Sequence, residues 1–114
     1  MKQVDKSGTR CTTEFIPFGA PGEGICVHLI HHVLRHKKTG VIREFDEFVL
    51  TRVRPWVSNE PITRNGMIKK GNAEPIPYGP IKEMRGPIFE WLKKQKLVPY
   101  GLQVEEKINF LMAG

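Results

Sequence analysis

Residues 25–38, which read ICVHLIHHVLRHKK, decide how the rest of the sequence is interpreted. At the helical angle of about 100° per residue, the apolar side chains fall on one half of the wheel and most polar ones on the other. Lys37 and Lys38 suit the negative end of a helix, and Gly40 suits its C-terminal cap. We therefore predict a helix. The alternative is one arm of a β-hairpin that turns at Lys38-Thr39-Gly40, because the stretch is rich in β-branched residues.

The next stretch, residues 41–54 (VIREFDEFVLTRVR), has a pattern that does not decide between helix and strand. Its apolar residues cluster on one helical face, but Asp46 and Arg52 interrupt that face, and strand alternation is no cleaner. The stretch is either a helix packed against the first one or the second arm of the hairpin. Pro55 ends the element in both cases.

The N-terminal side favours a strand. Residues 1–10 are polar and predict a frayed start. Residues 10–18 (RCTTEFIPF) are β-branched and aromatic, which predicts a short strand. Residues 19–24 (GAPGEG) are typical of a loop.

The C-terminal half begins with prolines. Residues 55–80 predict a long Pro/Gly-rich loop with one small hairpin, 62–64 against 67–69, turning at Asn65-Gly66. Residues 87–96 predict a helix with Pro87 in its first turn. Its expected inner face consists of Ile88, Phe89, Trp91 and Leu92.

A final strand is predicted over residues 103–112. Together these elements predict one small α+β domain over residues 1–114, with two or three helices packed on a short antiparallel sheet.

The chain is basic, with 18 Lys+Arg against 12 Asp+Glu and a formal net charge of +6. Two windows, residues 61–73 and 91–104, contain no acidic residue. Such blocks attract polyanions, so lysines and arginines would contact phosphates while exposed aromatic rings stack on bases. The candidate nucleic-acid-binding residues are Arg52, Arg54, Trp56, Arg64, Lys69, Lys70, Tyr78, Lys82, Arg85, Lys93 and Lys94.

These observations predict a small accessory protein that binds DNA or RNA without catalytic activity. An acidic protein surface would suit the same charge. The alternative function is therefore a viral or phage-type inhibitor that docks on a nucleic-acid enzyme, with Trp56 and Tyr78 as anchors. Which nucleic acid binds, and the oligomeric state, stay open.

The histidines suggest a second alternative. On a helix His28, His32 and His36 would form one stripe, and two imidazoles one turn apart can share a metal ion, as in a metal-dependent nuclease. No acidic residue falls at a matching helical position for a further ligand. We therefore predict no metal site, no cofactor and no catalytic residue.

The two cysteines, Cys11 and Cys26, are too few for a disulfide-dependent fold. We expect both to be reduced and mostly buried, and we expect the protein to be cytoplasmic. No apolar run approaches the roughly 20 residues that cross a bilayer, so no membrane span is expected.

Overall fold

The computed structural model describes residues 4–5, 10–19, 21–53 and 73–114. The strands are β1 (Val4–Asp5), β2 (Arg10–Pro17), β3 (Gly24–His36), β4 (Ile42–Val53) and β5 (Ala73–Pro77). Helix α1 (Ile81–Gln95), a 3₁₀ turn (Val98–Tyr100) and helix α2 (Gly101–Ala113) follow. The fold is a small α+β arrangement, as the sequence predicts.

All strands belong to one antiparallel sheet. Strand β3 is central and pairs with β4 on one side, while β5 pairs with the far side of β4. Strands β1 and β2 both pair with the other side of β3, β1 near its end and β2 near its beginning. Among the described residues, the sheet therefore has β1 and β2 at one edge and β5 at the other.

One face of the sheet carries the core. Opposite residues of antiparallel strands share a face, and the pairs Ile16–Ile25 and Val27–Leu50 are all buried there. Both helices pack on this face, α1 against β5 and α2 against β2 and β3. Their buried side chains are Met84, Ile88, Trp91, Leu92, Val104, Ile108 and Leu111.

The helix predicted over residues 25–38 is wrong, and the hairpin alternative is correct. The turn closes with Gly40 N–H donating to the His36 carbonyl at 2.8 Å and with Gly40 at φ 73°. Gly40 therefore provides the left-handed turn residue of a hairpin rather than a helix cap. The second open stretch is strand β4, with bounds Ile42–Val53.

Two C-terminal predictions also change. The strand predicted over residues 103–112 is helix α2, whose buried Val104, Ile108 and Leu111 follow the spacing of one helical face. Helix α1 begins at Ile81, so Pro87 lies inside it instead of in its first turn. Phe89, predicted on the inner face, is 48% exposed.

The N-terminal predictions have mixed outcomes. The strand over residues 10–18 is confirmed as β2. The frayed start is wrong at Val4–Asp5, which pair with β3. The loop over 55–80 is wrong at Ala73–Pro77, which form β5. The small hairpin predicted around Asn65-Gly66 lies outside the described residues.

Candidate nucleic-acid interface

A row of four basic side chains and one aromatic ring runs along the solvent side of α1. It consists of Lys82, Arg85, Phe89, Lys93 and Lys96, and we call it the α1 stripe. The spacing of three, four, four and three residues keeps all five on one side of the helix. All five are exposed, and Lys96 caps the end of the helix with φ 60°. At 1.5 Å per residue the stripe is about 21 Å long.

Some of these cations have partners and others do not. Arg85 Nε donates to Glu105 on α2 at 3.0 Å, and Lys93 Nζ donates to Glu90 at 3.3 Å. Within the described part of the chain, Lys82 and Lys96 have no ion pair, and neither does the neighbouring Lys94. The five cations outnumber the two carboxylates of residues 81–96, so the region keeps a net positive charge.

The only aromatic member of the stripe is Phe89. Its ring lies beneath the Lys93 ammonium, which is 5.3 Å from the ring centroid. The ring is half exposed, so part of it is open to another planar group. A basic row with an accessible ring combines phosphate attraction with a surface for base stacking. The sequence analysis placed Phe89 on the inner face of the helix beside Ile88 and Trp91, which are buried, and so missed its exposure to solvent.

Arg52 belongs to the interior of the fold rather than to this surface. Its side chain is 17% exposed, and Nη1 donates to the Gln95 carbonyl at 2.9 Å, at the C-terminal end of α1. Nη2 lies 3.8 Å from Glu23, and the guanidinium stacks over Phe18 at 5.5 Å. This arginine ties β4 to α1 and to the loop before β3.

The other predicted residues divide into two groups. Tyr78 is 43% exposed and stacks on Phe48, with ring centroids 5.7 Å apart and planes 6° from parallel. One face of its ring is therefore already used. The remaining predicted residues, Arg54, Trp56, Arg64, Lys69 and Lys70, lie outside the described residues.

The three spaced histidines share one face of β3, because a spacing of four residues also preserves the side on a strand. Successive members are about 13 Å apart at 3.3 Å per residue, too far to share one ion. His28 lies between Thr13 at 2.8 Å and Thr51 at 3.0 Å. His32 donates to Glu47 at 3.0 Å. Among the described residues, no group of three His, Cys, Asp or Glu could hold a metal ion.

Burial tunes two groups on this face. It lowers the pKa of His28, whose neutral imidazole is satisfied by two hydroxyls that can each donate or accept. Burial also raises the pKa of the Cys26 thiol, against a smaller lowering by its hydrogen bond with Thr51. Cys26 and Cys11 are both free, as predicted, although Cys11 is exposed rather than buried.

A fourth histidine forms a cluster that the sequence did not predict. His31 Nδ1 donates to Asp46 at 2.7 Å, and Nε2 lies 3.7 Å from Glu44. His31 and Asp46 are directly opposite across β3 and β4. Only the strand register brings them together, so the helical interpretation separated them.

The architecture is an antiparallel sheet with helices on one face, and one of these helices, α1, has a basic outer surface. No family model, no curated protein and no solved structure matches the chain. No helix in the described ranges has the length and apolar character that crossing a membrane requires.

Proposed function

We propose that this is a small basic protein that binds nucleic acid as an accessory factor, without catalytic activity, and that the α1 stripe contacts the polymer. The carrying observation is the pair of stripe cations without ion-pair partners among the described residues, Lys82 and Lys96, on the same side of α1 as the exposed ring of Phe89. Cations at this density displace counterions from a phosphate backbone, which drives association.

The exposed ring favours a single strand over a duplex. Bases of a single strand can unstack and lie against an aromatic side chain, at about 1–3 kcal/mol per base. In a duplex the bases stay stacked and the same ring contacts only the groove edge or the sugars. We therefore place single-stranded DNA or RNA ahead of duplexes as the ligand.

The test is a fluorescence anisotropy titration with labelled single- and double-stranded DNA and RNA over a range of salt concentrations. If the four cations of the α1 stripe contact phosphates, log affinity falls against log salt with a slope of about −2.8 on single strands. Replacing both Lys82 and Lys96 with glutamine should make that slope about 1.4 less steep. Phe89→Ala should weaken single-strand binding by about five- to 150-fold and leave duplex binding unchanged.

A matched control removes the same charge elsewhere. Lys37 and Lys38 are exposed in the turn between β3 and β4, so Lys37→Gln with Lys38→Gln should preserve the slope. Equal losses in the two double variants would mean that net charge, not the stripe, attracts the polymer. Absence of binding at low salt would refute the proposed function.

The second candidate function, docking on an acidic protein such as a nucleic-acid enzyme, is favoured by a different observation. The far end of the β3–β4 hairpin exposes Val41 (63%), Ile42 (61%) and Phe45 (37%), with the Arg43 guanidinium 5.2 Å from the Phe45 ring centroid. Arginine is enriched in binding hot spots, and exposed apolar side chains beside it offer area that a partner can cover. This candidate predicts salt-tolerant capture of one protein, and loss of that capture in Phe45→Ser.

For localisation we propose the cytoplasm. Cys11 is exposed and Cys26 is half-buried, and both are free thiols. Free exposed thiols persist in a reducing compartment. Localisation of a tagged chain by microscopy tests this placement.

A further inference from the structure

The two edges of the sheet differ in how they are protected. Edge strand β5 has five residues, and Pro75 and Pro77 lack the N–H groups that another strand would need. Edge strand β2 has eight residues, and its one proline is its last residue, Pro17. In the described part of the chain β2 pairs with β3 alone, and Arg10 to Thr13 are exposed. Among the described residues, nothing therefore protects the outer backbone edge of β2.

We propose that a second copy of this chain pairs with that edge, β2 against β2, in an antiparallel register centred on Thr12. A two-fold axis perpendicular to the sheet keeps every residue on its own face. The symmetric registers are therefore those centred on a residue. Centring on Thr12 sets Arg10 opposite Glu14 of the second copy, and the symmetry makes this ion pair twice.

The neighbouring registers are less favourable. Centring on Glu14 would place two carboxylates directly opposite each other. Centring on Thr13 would place the Arg10 cation opposite Ile16, which is 1% exposed and belongs to the core. Centring on Cys11 would set Arg10 opposite Thr12 and form no ion pair. The charges of β2 therefore favour the Thr12 register, and they complement a second copy of the same strand.

The helical layer supplies an apolar part of the same contact. Helix α2 lies over β2, where Lys107 pairs with Glu14 at 3.6 Å. Phe110, three residues after Lys107, lies on the same flank of α2 and is 65% exposed. In the proposed dimer the two α2 helices approach each other along this flank, so Phe110 gains cover that the single chain does not give it.

Sedimentation equilibrium over micromolar to millimolar protein tests the pairing. We expect a mass of about 26 kDa, twice the chain mass of 13.1 kDa. Arg10→Glu sets acid against acid, and Glu14→Arg sets base against base. Each variant alone should weaken dimerisation at least tenfold. Mixed in equal amounts, the two variants should restore a dimer, because every opposed pair is then complementary.

Two controls keep the result interpretable. Lys38→Glu, at the exposed hairpin turn, should dimerise like the wild type, and circular dichroism should show that all variants are folded. In the proposed register the two Cys11 residues are diagonal neighbours about 7–8 Å apart. A short bismaleimide should therefore link wild-type dimers and fail with Cys11→Ser.

Three results would overturn the proposal. If the wild-type chain stays monomeric at every concentration, a second copy does not pair with the β2 edge. Dimers unaffected by either charge reversal would place the interface elsewhere. A mixture of the two folded variants that stays monomeric would show that Arg10 and Glu14 do not face each other.

Discussion

Replacing Arg52 with methionine should destabilise the fold and leave nucleic-acid binding intact. Methionine keeps an unbranched apolar stem and removes the guanidinium, which bonds the Gln95 carbonyl and lies near Glu23. The last carbonyls of a helix have no donor within the helix, so the Arg52 bond stabilises the end of α1. The variant therefore separates a structural arginine from the cations of the α1 stripe.

The magnitude follows from two losses. A hydrogen bond from a charged donor contributes about 1.5–3 kcal/mol. Removing one partner of a buried ion pair costs about 3–5 kcal/mol. Arg52 and Glu23 are 3.8 Å apart, which is long for an ion pair, so we expect a smaller cost for breaking this one. We expect a total decrease of about 3 kcal/mol in the free energy of unfolding. For a chain of this size that corresponds to about 12 °C in Tm.

Urea unfolding followed by far-ultraviolet circular dichroism gives the free energy, and anisotropy below the transition gives the affinity. Arg43→Met is the matched control, because Arg43 is exposed over Phe45 and should cost about 0.5 kcal/mol. Adding Glu23→Gln to Arg52→Met should cost less than the two single changes summed. Unchanged stability with a tenfold loss of affinity would refute the structural role of Arg52.

Two further predictions concern the sheet. Gly24→Ala should cost about 2 kcal/mol, because the new Cβ would overlap the Ile16 carbonyl oxygen; a urea midpoint equal to that of the wild type would contradict this. Burial lowers the pKa of His28, so the unfolded chain binds the proton more readily and stability should fall as pH drops below about 6.5. His28→Gln should flatten that decline, and an unchanged pH dependence of the urea midpoint would exclude His28 as its source.

The hairpin was hard to predict because β3 is the central strand. Its core face carries Ile25, Val27 and Leu29, but its other face mixes histidines with Ile30 and Leu34, so the alternation is hidden. Four-residue spacing of His28 and His32 fits a helix stripe and a strand face equally well. Pairing with β4 and the turn at Gly40 decided between them, and the pairing is a long-range property that one segment does not encode.

The C-terminal helices show the opposite difficulty. Proline marks helix starts often enough that Pro87 was placed in a first turn, yet α1 starts at Ile81 and accommodates that ring on its exposed side. In α2, Val104, Ile108 and Leu111 carry the helical period, and the intervening apolar Phe110 and Met112 imitated alternation. Exposed apolar residues are what obscured both patterns.

Composition indicated a basic surface but not which cations form it. Arg52 and Lys93 have the same formal charge, yet Arg52 bonds the end of α1 from the sheet side and Lys93 projects from the solvent side of α1.

The proposed β2–β2 dimer and the proposed nucleic-acid surface on α1 are geometrically linked. A two-fold axis perpendicular to the sheet leaves both helical layers on the same side, so a dimer would present two α1 stripes to one polymer. Simultaneous contact raises affinity through effective concentration, and only for strands long enough to span both stripes. Arg10→Glu should therefore weaken binding to long single strands and leave binding to short strands unchanged. If the wild-type chain binds long and short strands with equal affinity, the two surfaces act independently.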